Sequence, residues 1–115
     1  MKNEKLTLIN DNISVLDVLE DVLQGDHVIV ARISTLVDFN KKLKDGFLEA
    51  TTVAIVDDAM PREGQGENVA RKLRETYPGI KIVSYSSRPQ DWGDINLINS
   101  PATSIAKIRE AILSL

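Results

Sequence analysis

The chain has 115 residues, 43% hydrophobic and 27% charged, which fits one globular domain over residues 1–115 and excludes a disordered chain, a collagen-like rod or a coiled coil. Its 14 Lys plus Arg against 17 Asp plus Glu give a net charge of −3 with no basic stripe, so nucleic acid is not expected as a direct partner. With no Cys and one His, disulfides, thiolate metal sites and zinc enzymes drop out; the absence of a leader-like apolar N-terminus and of any apolar run near the ~18 residues of a membrane span predicts a cytoplasmic protein.

Short apolar runs at residues 6–9, 27–31, 52–56, 81–85 and 95–98 predict five strands. Most are β-branched and apolar almost throughout, the pattern of strands covered on both faces in a parallel sheet. Between the first two, Val15, Leu16, Val18, Leu19, Val22 and Leu23 make a helical face, with Asn12 as cap and Gly25 after the last turn. Leu36, Phe39 and Leu43 predict a second helix, capped by Ser34 or Thr35 and stopped by Gly46. A third runs over residues 67–77, turns Val69, Ala70 and Leu73 inward, and ends at Pro78-Gly79. Ile105, Ile108, Ile112 and Leu115 form the stripe of the last. This alternation predicts an α/β fold of flavodoxin-like type, a doubly wound five-stranded parallel sheet in the order 2-1-3-4-5. Residues 86–94 leave little room for a helix, and Pro89 and Gly93 are poor material for one, so the fourth helix is expected to be shortened or missing.

Function in such a sheet is expected at the carboxyl ends of strands one and three, where the strand order reverses. Strand one ends in Asn10-Asp11-Asn12 and strand three in Asp57-Asp58-Ala59-Met60-Pro61. Together they make an oxygen-rich anionic pocket, suited to a hard cation such as Mg²⁺ held by one or two carboxylates, a carbonyl and waters. Asn12 reads as a helix cap and Asp58 as a solvated or helix-facing acid. Asp57, at the end of a buried strand, needs a metal or hydrogen bonds to be ionised there.

At these residues the chain resembles the receiver domain of two-component response regulators, the CheY-like family, as an atypical, degenerate member. The likeness covers the whole chain. It is carried by Asp11 in LTLINDN, by IVDDAMP, which is similar to the family's D-x-x-M-P, and by Tyr77-Pro78-Gly79 before strand four. The resemblance implies Asp57 as phosphoacceptor, Asp11, Asp57 and the Ala59 carbonyl as Mg²⁺ ligands with Asn10 in the outer shell, and Ser86 as the hydrogen-bond donor to the phosphoryl group. It also implies a histidine kinase, a phosphotransfer protein or another signalling protein as partner, and no catalysis beyond self-phosphorylation and autodephosphorylation.

The departures are specific. Asn10 stands for the first acid of the family's pair, Ser100 in Ser100-Pro101 for its strand-five lysine, and Leu97 for its aromatic switch residue. An outer-shell charge is lost, which weakens Mg²⁺ binding, and so is a charge-assisted bond of about 1.5–3 kcal/mol to the phosphoryl group. Arg88, two residues past Ser86, reads as a solvated loop side chain rather than a replacement cation. The alternative function is a pseudo-receiver, a protein-binding module independent of phosphate. A flavodoxin-like binder of a small phosphorylated ligand fits worse, because residues 10–14 hold no Gly, Ser or Thr run to wrap a phosphate, and Gly64 and Gly66 read as a flexible loop. His27 reads as a surface or strand-edge residue, and Trp92 as a plug for the missing helix or else an exposed anchor for a partner.

Overall fold

Apolar side chains at every position of a strand demand cover on both faces, and the chain supplies it. A computed structural model describes residues 3–99 and 105–115. In chain order it holds β1 (Lys5–Ile9), α1 (Ile13–Leu23), β2 (Val28–Ile33), α2 (Leu36–Lys44), β3 (Val53–Val56), α3 (Gln65–Thr76), β4 (Lys81–Ser86), β5 (Ile95–Ile98) and α4 (Ile105–Leu113). All strand pairs are parallel and the order is β2-β1-β3-β4-β5. The α/β flavodoxin-like architecture expected from the sequence is therefore the one formed.

Central β3 shows how the continuous apolar run is used. Val53 and Ile55 pack on one face with Leu16, Leu19 and Leu23 of α1 and Ile108 and Ile112 of α4. Ala54 and Val56 pack on the other with Phe39 of α2 and Val69, Ala70 and Leu73 of α3. The strand's period of two is hidden in the sequence because both faces are dry.

Caps define the helix starts. The Asn12 side chain accepts the Ser14 N–H at 2.9 Å and Thr35 accepts that of Asp38 at 3.1 Å, each meeting an otherwise orphaned first-turn donor. On the outer face of α1, Asp17 and Glu20 are engaged by Arg32 of β2 at 2.6 and 2.7 Å.

No helix stands between β4 and β5. Residues 87–94 form a tight loop whose Trp92 is buried with Leu73, Ile80 and Ile82, so the indole fills the place a helix would cover. Arg74 of α3 binds the Trp92 carbonyl at 2.6 Å and Asp94 at 3.3 Å, while Asp94 also accepts the Ile82 N–H at 2.8 Å. Burial acts to raise the Asp94 carboxyl, but the Ile82 N–H and Arg74 outweigh it and hold it below the ordinary carboxylate range. A side chain at Gly93 would press on the Ile95 carbonyl and the Ser84 amide, at 2.7 and 2.9 Å from its Cβ, so only glycine closes this loop.

One expectation fails at the opposite end of the sheet. His27 is buried, and its Nδ1 accepts the Glu4 N–H at 3.0 Å. Its imidazole satisfies a backbone donor across 23 residues of chain, which no local pattern announces.

Candidate functional site

The site is assembled by three strand ends. β1 delivers Asn10, whose N–H bonds the Ile33 carbonyl at 3.0 Å and whose buried Oδ1 accepts the Asn12 N–H at 2.9 Å. That bond folds the chain into a turn, and Asp11, between the two asparagines, is pushed outward and exposed. β3 continues into Asp57, whose N–H reaches the Ile9 carbonyl at 2.9 Å, and so its side chain emerges beside the Asp11 turn. β4 ends in Ser86, buried to 2% exposure.

Asp11 lies close enough to Asp57 for its charge to act on that carboxyl. Burial raises the Asp57 carboxyl most, to about 6, and Asp11 adds to the rise, while the Ala59 N–H and the Ser86 hydroxyl pull the other way. The Ser86 hydroxyl oxygen accepts the Asp58 N–H at 2.7 Å, and the same hydroxyl lies near enough to Asp57 to favour that group's charged form.

Asp58 is buried rather than solvated, and it faces α3. Its Oδ2 accepts the Gly64 N–H at 2.9 Å and its carbonyl the Gly66 N–H at 2.7 Å. Gly64 sits at φ 87° in the left-handed region, and a Cβ on Gly66 would collide with the Asp57 carbonyl and the Asp58 backbone. The two glycines are thus a close helix–strand joint, where the sequence suggested a flexible loop. The anion-receiving end of this helix is already filled by the chain's own carboxylate. Asp58 thus lines the candidate site as the helix-facing acid that strand alternation allows, and the Gly-x-Gly six residues on marks the helix start it meets.

Arg88 and Glu63, a pair that no local pattern in the sequence announces, meet at 3.1 Å and line, with Asp57 and Ser86, a cavity of about 50 Å³. Of the sequence-selected residues, the structure brings Asp11, Asp57, Ala59 and Ser86 to one place; Ser100 and Pro101 lie outside the described residues.

The donor set is compatible with a hard divalent cation. Two carboxylates in mutual repulsion at the ends of neighbouring strands are the usual complement of carboxylate ligands for Mg²⁺, which keeps several waters. No group of three or more acidic or histidine side chains able to hold a metal occurs among the described residues, so the side-chain ligands would be Asp11 and Asp57. Likewise no helix among the described residues is long and apolar enough to cross a membrane.

Comparison with solved structures shows the same fold. A CheY-like response regulator receiver domain protein from Methanospirillum hungatei superposes with a TM-score of 0.79 at 15% identity, covering 98% of this chain and 93% of that one. The CheX-CheY-BeF3-Mg²⁺ complex from Borrelia burgdorferi gives 0.80 at 11%, covering 96% and 87%. The isolated receiver domain of RcsB from Salmonella enterica serovar Typhimurium, with phosphomimetic BeF3⁻, gives 0.75 at 16%, covering 98% and 90%. No protein-family model matches the sequence, and no curated protein does. The chain has the receiver-domain fold of two-component response regulators.

Proposed function

We propose that the chain, starting from its receiver fold, accepts a phosphoryl group on Asp57 from a histidine kinase or phosphotransfer protein and passes on the signal or the phosphate. A carboxylate oxygen of Asp57 attacks the donor's phosphorus; the bond to the donor breaks as the new P–O bond forms, and the leaving group keeps the electron pair and takes up a proton. The observation that carries this reading is the convergence of Asp11 and Ser86 on Asp57, which is partly desolvated at a small opening. Asp11, Asp57 and the Ala59 carbonyl are the residues that would hold Mg²⁺, which supplies positive charge against the phosphoryl oxygens when bound. Ser86 would donate its hydroxyl hydrogen to the phosphoryl group. Asp58 and Gly66 set the loop that carries Asp57.

A pseudo-receiver, working by protein contact without phosphate, is the second reading. It is favoured by Asn10, which replaces an acid with a carboxamide whose oxygen is committed to the Asn12 N–H. A small-ligand binder has less support, since the Gly64 N–H that a phosphate would need is occupied by Asp58.

A calorimetric Mg²⁺ titration with and without beryllofluoride separates the first two readings. Binding of both that vanishes in Asp57→Ala supports phosphate acceptance; a wild-type protein with no response supports the pseudo-receiver.

A further inference from the structure

The inference that follows rests on the phosphoacceptor reading and extends it to the opening above Asp57. The small cavity there carries three carboxylates, Asp57, Asp58 and Glu63, and among its described lining residues Arg88 is the single cation. Asp58 is already committed to the Gly64 N–H. A phosphoryl group on Asp57 adds further negative charge to a space whose one movable positive group now rests on Glu63.

We infer that Arg88 is the residue that receives the phosphoryl oxygens, and that it reaches them by leaving Glu63. Three observations carry this. Arg88 follows Ser86 by two residues and lines the same cavity as the Asp57 carboxyl, so Glu63 and Asp57, its present and proposed partners, border one opening. Its present bond is weak, because the two side chains are 71% and 65% exposed, and exposed single pairs contribute little. A phosphoryl group offers the guanidinium fork two oxygens and more charge than a carboxylate, so the exchange runs toward Asp57. Glu63, once released, immediately precedes Gly64, the start of α3, which places the consequence of the exchange at the loop joining Asp58 to that helix.

The test measures beryllofluoride affinity in saturating Mg²⁺, and Mg²⁺ affinity alone, for wild type, Arg88→Ala, Arg88→Lys, Glu63→Gln and the Glu63→Gln/Arg88→Ala double variant. Both side chains are exposed, so all variants are expected to fold. Arg88→Ala should weaken beryllofluoride about tenfold while leaving Mg²⁺ alone unchanged or slightly tighter, the scale of one charge-assisted bond. Arg88→Lys should restore part of the loss. Glu63→Gln should tighten beryllofluoride severalfold, and that gain should disappear in the double variant. Unchanged beryllofluoride affinity in Arg88→Ala, or an equal loss for Mg²⁺ alone, overturns the role of Arg88 and leaves Asp57 as acceptor. A wild type that binds no beryllofluoride overturns both.

Discussion

The hydroxyl of Ser86 receives the amide hydrogen of Asp58 across 2.7 Å, and this bond joins the end of β4 to the loop that carries Asp57. The same hydroxyl favours the charged form of Asp57, so one small side chain both places the acceptor loop and acts on the acceptor's charge. Ser86→Ala leaves the buried Asp58 N–H without a partner and is expected to cost about 1–3 kcal/mol in urea unfolding. It should also slow labelling by acetyl phosphate. Ser86→Thr keeps the hydroxyl and should retain the labelling rate to a greater extent; equal rates for Ala and wild type would remove Ser86 from the site.

Asp57 makes stability depend on pH in a direction unusual for an acid. Its carboxyl titrates at about 6 in the fold against 3.8 when unfolded, so the folded state holds the proton more tightly. The stabilising contribution is complete below the unfolded value and is lost as pH rises through about 6. In EDTA, Asp57→Asn is therefore expected to raise stability near pH 7.5 by about 1–2 kcal/mol, less than full linkage because the carboxyl is partly hydrated, and to give little gain near pH 4. Thermal unfolding of both proteins across this range is the check. A gain of the same size at every pH would contradict the cause.

Gly66 tests the joint between the site and α3. Gly66→Ala places a methyl group against the Asp57 carbonyl, with no flexible side chain to move aside, and is expected to destabilise by about 1–3 kcal/mol while shifting backbone NMR signals of residues 57–64. Asp58→Asn should keep much of the stability, since its amide oxygen still accepts the Gly64 N–H, whereas Asp58→Ala should not.

The loop that replaces a helix has its own signature. Trp92→Ala should cost about 3–5 kcal/mol by emptying the space beside Leu73 and Ile82, and Trp92→Phe markedly less. Arg74→Met retains the aliphatic stem but frees the Trp92 carbonyl and Asp94, so it should raise amide exchange at residues 90–95 without global unfolding.

The sheet was readable in the chain because Val53, Ala54, Ile55 and Val56 leave no polar face, and Asn12, Thr35 and Gly46 mark helix ends by local chemistry. Trp92 was legible too, since a lone tryptophan in a segment too short for a helix has a space to fill. Contacts between remote parts of the chain were not. His27 has no acid or apolar pattern that reveals the Glu4 N–H, and the Glu63–Arg88 pair joins two loops 25 residues apart. Asp58 was legible in part: alternation allows it to be solvated or helix-facing, and its burial against the left-handed Gly64 at the start of α3 decides for the helix.

The central claim is that Asp57 is a phosphoacceptor. Incubation with acetyl phosphate and Mg²⁺, followed by intact-mass measurement and borohydride trapping of the acyl phosphate for peptide mapping, tests it most directly. One phosphoryl adduct per chain, located at Asp57 and lost in Asp57→Asn or on adding EDTA, is the predicted result. No adduct in wild type, or an adduct that persists in Asp57→Asn, would contradict it.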